Sequence, residues 1–190
     1  MSNTKRNITA VLAAVGVVAV CACLLFFGGR FYLKIAYPLK YESLVNTNAA
    51  SFEVPPSLIF AVIHTESHFD SQAVSPVGAK GLMQLMDETY EWIQTKLPEE
   101  PAPVSRIFEP EINIRCGTKV LQVLLSQFDT LETALAAYNA GSGNVSRWLK
   151  NPEYSDDGVT LTVIPLTETK EYVSRVLKAQ KRYQTLYKIV

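Results

Sequence analysis

Glu66 is the residue of this sequence whose position most clearly suggests chemistry. Apolar side chains recur at helical spacing before it, and Glu66 falls on the face of Val62 and Ile63, at i+4 and i+3. A carboxylate therefore stands where a core residue is expected. Burial against apolar groups disfavours the charged form, so we expect a raised pKa and a group able to act as a general acid. The alternative is an ordinary solvated or ion-paired glutamate.

The residues after Glu66 suggest that it borders a cleft. The helical pattern breaks into a stretch of small and polar residues at 70–78, and a second helical pattern is predicted to begin near Gly81. A helix that ends at an acid, followed by a loop that folds back over it, makes one wall of a cleft. Asp70 is the nearest second acid, and it is interpreted as a helix-end residue that bonds to local backbone.

Two histidines raise a zinc site as an alternative. His64 and His68 are four residues apart, a spacing that allows zinc binding from one face of a helix. In zinc proteases the helical glutamate directly follows the first histidine, whereas Glu66 is two residues from each and points away from both. The chain contains no third histidine. We therefore predict no metal site.

Four short motifs follow one another along the chain. They are Glu66-Ser67 with Ala73, Ser75 and Gly78-Ala79; Gly81-Leu82-Met83-Gln84; Ala137-Tyr138-Asn139-Ala140-Gly141; and Pro165 with Glu168-Thr169 and Tyr172-Val173. In type and order they resemble the signature of soluble-type lytic murein transglycosylases, relatives of goose-type lysozyme. The resemblance covers roughly residues 41–187.

The resemblance implies roles for particular residues. Glu66 matches the catalytic acid. The positions that match substrate contacts are Ser75, Gln84, Met86 and Tyr138, and supporting positions are Ser67, Asn139, Glu168 and Tyr172. Structural alternatives are a loop turn for Ser75, a core position for Met86 and a core aromatic for Tyr138. We expect Gln84 and Tyr138 to matter more for activity than for folding, and Asn139 and Glu168 to hold the site by hydrogen bonds to backbone.

The resemblance also implies the reaction. Glu66 would protonate the β-1,4 bond between N-acetylmuramic acid and N-acetylglucosamine, with help from the 2-acetamido group. It would then deprotonate the muramoyl 6-hydroxyl, which leaves a 1,6-anhydro end, and no metal or other cofactor is required. Most glycosidases use two carboxylates and this sequence offers one obvious acid, so attack by water, as in a hydrolytic muramidase, stays open as an alternative. A glycan-binding module without catalysis is a third interpretation.

Residues 8–29 predict a membrane anchor. These 22 residues carry no charge, and a helix of that length spans about 33 Å, enough for a bilayer core. No small-residue cleavage site follows, which favours an uncleaved anchor over a signal sequence. Basic residues are nearly balanced across the segment. The expected topology, a single-pass protein of the bacterial cell membrane with its catalytic domain on the outer, cell-wall side, follows from the supposed substrate.

The amino-acid composition limits the classes of partner that the protein is expected to bind. The formal net charge is zero, so nothing indicates nucleic acid. Cys21 and Cys23 lie in the apolar N-terminal segment, which leaves Cys116 to be a small buried residue of a helix rather than a disulfide partner or a nucleophile. The expected partners are peptidoglycan glycan strands and, through one N-terminal helix, the membrane.

The remaining pattern is helical. Apolar spacing predicts six or seven short helices, with Pro56 in the first turn of the Glu66 helix and Thr130 as an N-cap. Residues 159–164 are a candidate short strand. The predicted fold class is all-α. It comprises an anchor at residues 1–30, a connector at 31–40 and, as the resemblance implies, a lysozyme-like catalytic domain at 41–190.

Overall fold

A computed structural model describes residues 3–189 of the chain, with side chains at residue 16 and from residue 20 onward. The chain divides into two compact units, Met1–Pro38 and Leu39–Val190, and the first contains helix α1, Asn3–Ala36. Among the described residues, no helix combines the length and apolarity needed to cross a membrane. Half of the predicted anchor at residues 8–29 lies outside the residues whose side chains are described. The domain boundaries proposed from the sequence stay predictions.

The described part of the second unit is built from seven α-helices and one 3-10 turn. The helices are α2 (Glu42–Phe52), α3 (Pro56–Ser67), α4 (Asp87–Gln94), α5 (Pro110–Gln127), α6 (Leu131–Ala140), α7 (Ser142–Trp148) and α8 (Thr167–Tyr187), and the 3-10 turn is Val104–Arg106. Residues 39–189 contain no strand, only two isolated bridges. The prediction of a helical domain is confirmed for this part of the chain.

The candidate short strand is an irregular loop. The amides of Val159 and Thr160 both bond to the Asp157 carboxylate, at 2.8 and 2.7 Å, and the amide of Thr162 bonds to the carbonyl of Tyr154 at 2.9 Å. These donors are satisfied by local turns, so the segment has no need of a neighbouring strand.

Helix α3 is the centre of the second unit. Pro56 occupies its first turn, as predicted, and every residue from Ser57 to Ile63 is buried. The helix packs against α2 and along α8, where the rings of Phe60 and Tyr183 stack with centroids 5.3 Å apart. A helix enclosed on all sides has little freedom, so its last turn, which carries Glu66, is held in place.

The helices after α4 follow the sequence prediction closely. Thr130 caps α6, where its hydroxyl accepts a hydrogen bond from the Thr133 amide at 3.2 Å. Helix α8 turns its apolar stripe inward, with Tyr172, Val176 and Tyr183 buried. Helix α6 packs against α5, α7 and α8. The N-terminal half of α8 and the C-terminal end of α6 thereby meet near the end of α3.

The segment between α3 and α4 departs from the prediction. Apolar spacing predicted a second helix from Gly81, but α4 begins only at Asp87. Gly81 and Gln84 have φ angles of 75° and 48°, and two left-handed residues so close together interrupt a right-handed helix. Residues 73–86 form a tight loop instead and are termed the motif loop below.

A buried amide of α5 holds the motif loop. The Asn113 Oδ1 atom accepts a hydrogen bond from the Met83 amide at 2.8 Å, and its Nδ2 donates to the carbonyls of Ile107 at 2.7 Å and Lys80 at 3.1 Å. Gly81 lies so close that a Cβ there would overlap the Asn113 amide nitrogen. One side chain thus satisfies three backbone groups from two segments of chain.

Replacing Asn113 by alanine is expected to destabilise the protein strongly. The Met83 N–H and the Ile107 C=O would lose their partner, at about 1–3 kcal/mol for each buried group. A total loss of roughly 3 kcal/mol corresponds to a fall in Tm of about 10 °C for a domain of this size. Thermal unfolding followed by circular dichroism measures the effect. The control is Gln127→Ala, an exposed amide at the end of the same helix, and equal Tm values for the two variants would contradict the role of Asn113.

Candidate active site

A cavity of about 390 Å³ lies at the C-terminal end of α3. Residues of α3, the motif loop, α4, α5, α6 and the start of α8 line it. Seven of the nine site residues identified in the sequence are among them: Glu66, Ser75, Gln84, Met86, Tyr138, Asn139 and Glu168. The other two, Ser67 and Tyr172, are buried and do not line it. The fold therefore brings together residues that are up to 102 positions apart in the sequence, from Glu66 to Glu168.

Glu66 is the acid that the fold withdraws from water. Val62 and Ile63, which share its face, are fully buried, and desolvation raises the pKa of Glu66 from 4.5 to about 7. The hydroxyl of Tyr172 and the positive charge of Arg175 act in the opposite direction, but less strongly. The result is a carboxyl that exchanges its proton near neutral pH.

Two tyrosines stand beside Glu66. The Tyr138 hydroxyl donates to the Met83 carbonyl at 2.8 Å. The Tyr172 hydroxyl has no partner at hydrogen-bonding distance and angle among the described residues, yet it faces Glu66 closely enough to lower the pKa of that carboxyl. Burial, and then the negative charge of Glu66, raise the pKa of both phenols well above the usual value. Both tyrosines therefore stay neutral.

Ser75 and Gln84 line the cavity and also hold the motif loop in shape. The Ser75 hydroxyl accepts a hydrogen bond from the Ala79 amide at 3.0 Å. The Gln84 Nε2 atom donates to the carbonyls of Gly81 at 2.8 Å and Ala73 at 3.2 Å. A hydroxyl that accepts can still donate, and the Gln84 Oε1 atom can still accept, so both residues retain an atom for a ligand. The structural and the ligand-binding interpretations are compatible at these two positions.

Of the remaining lining residues, Met86 agrees with the expectation, whereas Asn139 and Glu168 make other contacts than the expected hydrogen bonds to backbone. Met86, at the start of α4, is 37% exposed and is not a core residue. The Asn139 Oδ1 atom accepts from the Thr169 hydroxyl at 2.8 Å, which joins α6 to α8 by a side-chain bond rather than the expected backbone bond. Glu168 is exposed in the first turn of α8, and its side chain makes no hydrogen bond within the described part of the chain.

Ser67 and Asn113 attach the motif loop from two sides. The Ser67 hydroxyl lies 2.8 Å from the Leu82 carbonyl and 3.2 Å from that of Ile63, within donating distance of both. Asn113 was not identified from the sequence, although it lies at i−3 and i−7 from the buried Cys116 and Val120 of an apolar helix face. A polar side chain on such a face is the signal that would have found it.

Three lining residues carry no recognisable signal in the sequence. Val77, Thr89 and Leu166 belong to the cavity wall, as does Thr169, for which no role was predicted although it is part of the fourth motif. Each looks like an ordinary loop or helix residue until the chain is folded, because the cavity is formed by segments that are distant in sequence.

The other residues that were considered for chemistry, namely the two histidines, Cys116 and Asp70, make structural contacts. Among the described residues, no group of three His, Cys, Asp or Glu side chains is placed to hold a metal ion, and the rings of His64 and His68 lie 5.0 Å apart in an aromatic cluster. Cys116 is buried, which raises the pKa of its thiol to about 11 and keeps it protonated. Asp70 accepts a hydrogen bond from the Gln72 amide at 2.9 Å, the local role predicted for it.

Comparison with known sequences identifies a family. Residues 43–159 match the family described as transglycosylase SLT domain. The soluble lytic murein transglycosylase of Escherichia coli is 36% identical over 157 residues, which cover 80% of this chain and 24% of that protein. The membrane-bound lytic murein transglycosylase C of Yersinia pestis is 33% identical over 167 residues, which cover 76% of this chain and 47% of that protein. The chain thus spans about a quarter to a half of the length of these relatives.

Solved structures agree with the sequence match. An inactive glutamate-to-glutamine mutant of the lytic transglycosylase Slt from Pseudomonas aeruginosa is similar with a TM-score of 0.70 and 35% identity, over 81% of this chain and 25% of that one. The 70-kDa soluble lytic transglycosylase of Escherichia coli is similar with a TM-score of 0.70 and 32% identity, over 80% and 25% of the two chains. The resemblance seen in the motifs is confirmed, and the chain belongs to the transglycosylase SLT domain family of the lysozyme-like superfamily.

Proposed function

We propose that the chain is a peptidoglycan lytic transglycosylase that cleaves the β-1,4 bond between N-acetylmuramic acid and N-acetylglucosamine and leaves a 1,6-anhydromuramoyl end. The observation that carries the proposal is Glu66, a carboxyl with a pKa of about 7 on the wall of a cavity. Such a carboxyl can both give and take a proton within one turnover. The names of the relatives, and the inactive glutamate-to-glutamine mutant of the Pseudomonas neighbour, support the same reaction.

In this reaction Glu66 acts first as an acid. Its proton goes to the glycosidic oxygen as the bond from that oxygen to C1 of N-acetylmuramic acid breaks, and the 2-acetamido group of the same sugar assists at C1. The carboxylate then takes the proton of the muramoyl 6-hydroxyl, and the hydroxyl oxygen bonds to C1. Glu66 regains its proton, so no cofactor is needed to balance the reaction.

The surroundings of Glu66 suit both steps. Desolvation keeps the carboxyl protonated before the bond breaks. The carboxylate formed next is stabilised by the Tyr172 hydroxyl and the charge of Arg175, which both lower the pKa of Glu66. Ser75 and Gln84 offer a donor and an acceptor suited to an acetamido group.

Hydrolysis by water is the alternative for the second step. A hydrolytic muramidase of the usual kind needs a second carboxylate as base or nucleophile. Glu168 is the other acid on the cavity wall, and it is exposed in the first turn of α8. The two mechanisms therefore differ in what they require of Glu168 and in the sugar that they release.

We also propose that residues 8–29 anchor the protein in the cell membrane, with the catalytic domain on the cell-wall side. The described part of α1 exposes large apolar side chains, among them Leu25 at 78% and Phe27 at 67%. Exposed apolar groups at this density are stable in a lipid environment rather than in water. One of the relatives is named as membrane-bound.

Glu66→Gln is expected to abolish cleavage without unfolding the protein. Glutamine keeps the shape of the side chain but has no proton to transfer, so turnover of a murein suspension should fall at least about a hundredfold, the usual scale for a general acid–base group. Turbidity loss measures cleavage, and circular dichroism checks folding. In the parent reaction, mass spectrometry should find released sugars that are one water lighter than the hydrolysed product.

Glu168→Gln is the matched control. It changes a second cavity carboxylate in the same way, and under the single-acid mechanism it should cost much less activity than Glu66→Gln. Near-parental cleavage by folded Glu66→Gln would remove the proposed function. Equal losses in the two variants, together with hydrolysed ends, would support the muramidase alternative instead.

The raised pKa of Glu66 should make the protein less stable as the pH rises. The pKa of Glu66 in the folded state is about 7, above the ordinary 4.5. The stabilisation of the folded state by the proton on Glu66 is therefore complete below pH 4.5, and it is lost as the pH rises toward 7. The full loss is about 3 kcal/mol, since each unit of pKa difference corresponds to about 1.4 kcal/mol. Glutamine does not ionise, so Glu66→Gln should gain stability over the parent across that range. Urea unfolding of both proteins at about pH 4, 6 and 8 tests this, and a difference that is independent of pH would contradict it.

A further inference from the structure

The outer face of α8 carries a strip of positive charge that the proposed function does not use. Lys178, Lys181 and Arg182 stand at i, i+3 and i+4, which places them on one face of the helix, and Lys188 follows at its C-terminal end. All four residues are exposed. They are termed the basic strip.

The basic strip faces away from the core. Val176, Ala179 and Tyr183 of the same helix are buried, and they occupy the opposite side at helical spacing. Within the described part of the chain, no residue of the strip forms an ion pair. One turn earlier in α8, by contrast, Arg175 forms an ion pair with Glu171 at 3.8 Å.

Charge is segregated along the chain. The sequence has 18 basic and 18 acidic residues, but no Asp or Glu follows Glu171. Residues 176–190 therefore carry four positive side chains, and the rest of the chain carries a compensating excess of four negative ones. Like charges at i, i+3 and i+4 repel one another. A one-sign face of this kind on a neutral chain is suited to a polyanionic partner.

The position of the basic strip indicates which kind of polyanion it binds. Burial, and then the negative charge of Glu42, raise the pKa of Tyr187, and the effect of Glu42 indicates that the C-terminal end of α8 lies near the start of α2. Only residues 37–41 separate α2 from α1, which exposes large apolar side chains, among them Leu25 and Phe27, and ends in a stretch that also carries Arg30 and Lys34. The choice of polyanion rests on the proposed anchor, because an anchor at residues 8–29 keeps the domain within a few residues of chain from a bilayer.

We infer that the basic strip binds the anionic headgroups of a phospholipid bilayer. Lys and Arg near an anionic bilayer each strengthen binding by about fivefold, and the attraction fades within a Debye length of about 10 Å at 0.1 M salt. Glu168, on the cavity wall, is ten residues or about 15 Å along the helix axis from Lys178. The residues of the strip and the residues that line the cavity therefore do not overlap.

Lysine labelling of the full-length protein on vesicles tests the inference. Two vesicle compositions are compared, phosphatidylcholine alone and phosphatidylcholine with phosphatidylglycerol, and amine acetylation is read by mass spectrometry. Lys178 and Lys181 should be protected severalfold on the anionic vesicles only, and about 0.5 M salt should remove the protection. Lys150, an exposed lysine beyond the strip, is the internal control and should label equally on both. The readout does not depend on whether residues 8–29 span the bilayer or on catalysis.

A charge-reversal variant, read by the same lysine labelling, gives a second test. Lys178→Glu with Arg182→Glu should reduce the protection of Lys181 on anionic vesicles at least about tenfold, while Lys150→Glu should not. All the changed residues are exposed, and circular dichroism checks folding. Equal labelling of the strip on both vesicle types at low salt would overturn the inference. Protection by soluble murein fragments without protection by anionic vesicles would also overturn it, and would assign the strip to the wall polymer.

Discussion

The arrangement of the candidate active site depends on the side-chain amide of Asn113. The backbone groups inside a helix are already paired, so α5 can hold a loop only through its side chains. The Asn113 amide supplies an acceptor for the Met83 N–H and a donor for the Lys80 carbonyl. An apolar residue would gain about 1.5–3 kcal/mol from burial. It would also leave buried backbone groups unpaired at about 1–3 kcal/mol each. The amide is therefore the better solution, and the motif loop, which forms one wall of the cavity, follows from it.

Under the proposed mechanism, Glu66 reflects the opposite compromise, in which function limits stability. Burial alone would keep the carboxyl permanently protonated, and a stronger positive neighbour would keep it permanently ionised. Either extreme would disable one of the two proposed proton transfers. The pKa of about 7 reflects desolvation, which raises it, and Tyr172 and Arg175, which lower it. The half-exposed position of Arg175, which also pairs with Glu171, keeps its influence moderate.

Local signals predicted most of the helices but little of the motif loop. Pro56 and Thr130 mark helix starts through chemistry confined to one turn, so the sequence reveals them directly. The motif loop depends on a left-handed glutamine, Gln84, and on an amide 30 residues beyond Met83. No helical periodicity encodes either feature. Glu66 could be found from its apolar face, whereas the other predicted residues depended on the resemblance. The partner of Asn139, a hydroxyl on another helix, could be found from neither.

Three helices fasten the same short piece of the motif loop. Ser67 of α3 lies within hydrogen-bonding distance of the Leu82 carbonyl, Asn113 of α5 binds the Met83 amide, and Tyr138 of α6 binds the Met83 carbonyl. Fixing the backbone of one residue costs about 1–2 kcal/mol in conformational entropy, and here folding has already met that cost. Under the proposed function, an incoming glycan therefore finds this wall preorganised. Its binding free energy remains available to distort the sugar toward the transition state, and a rigid inhibitor of matching shape meets little resistance from the protein.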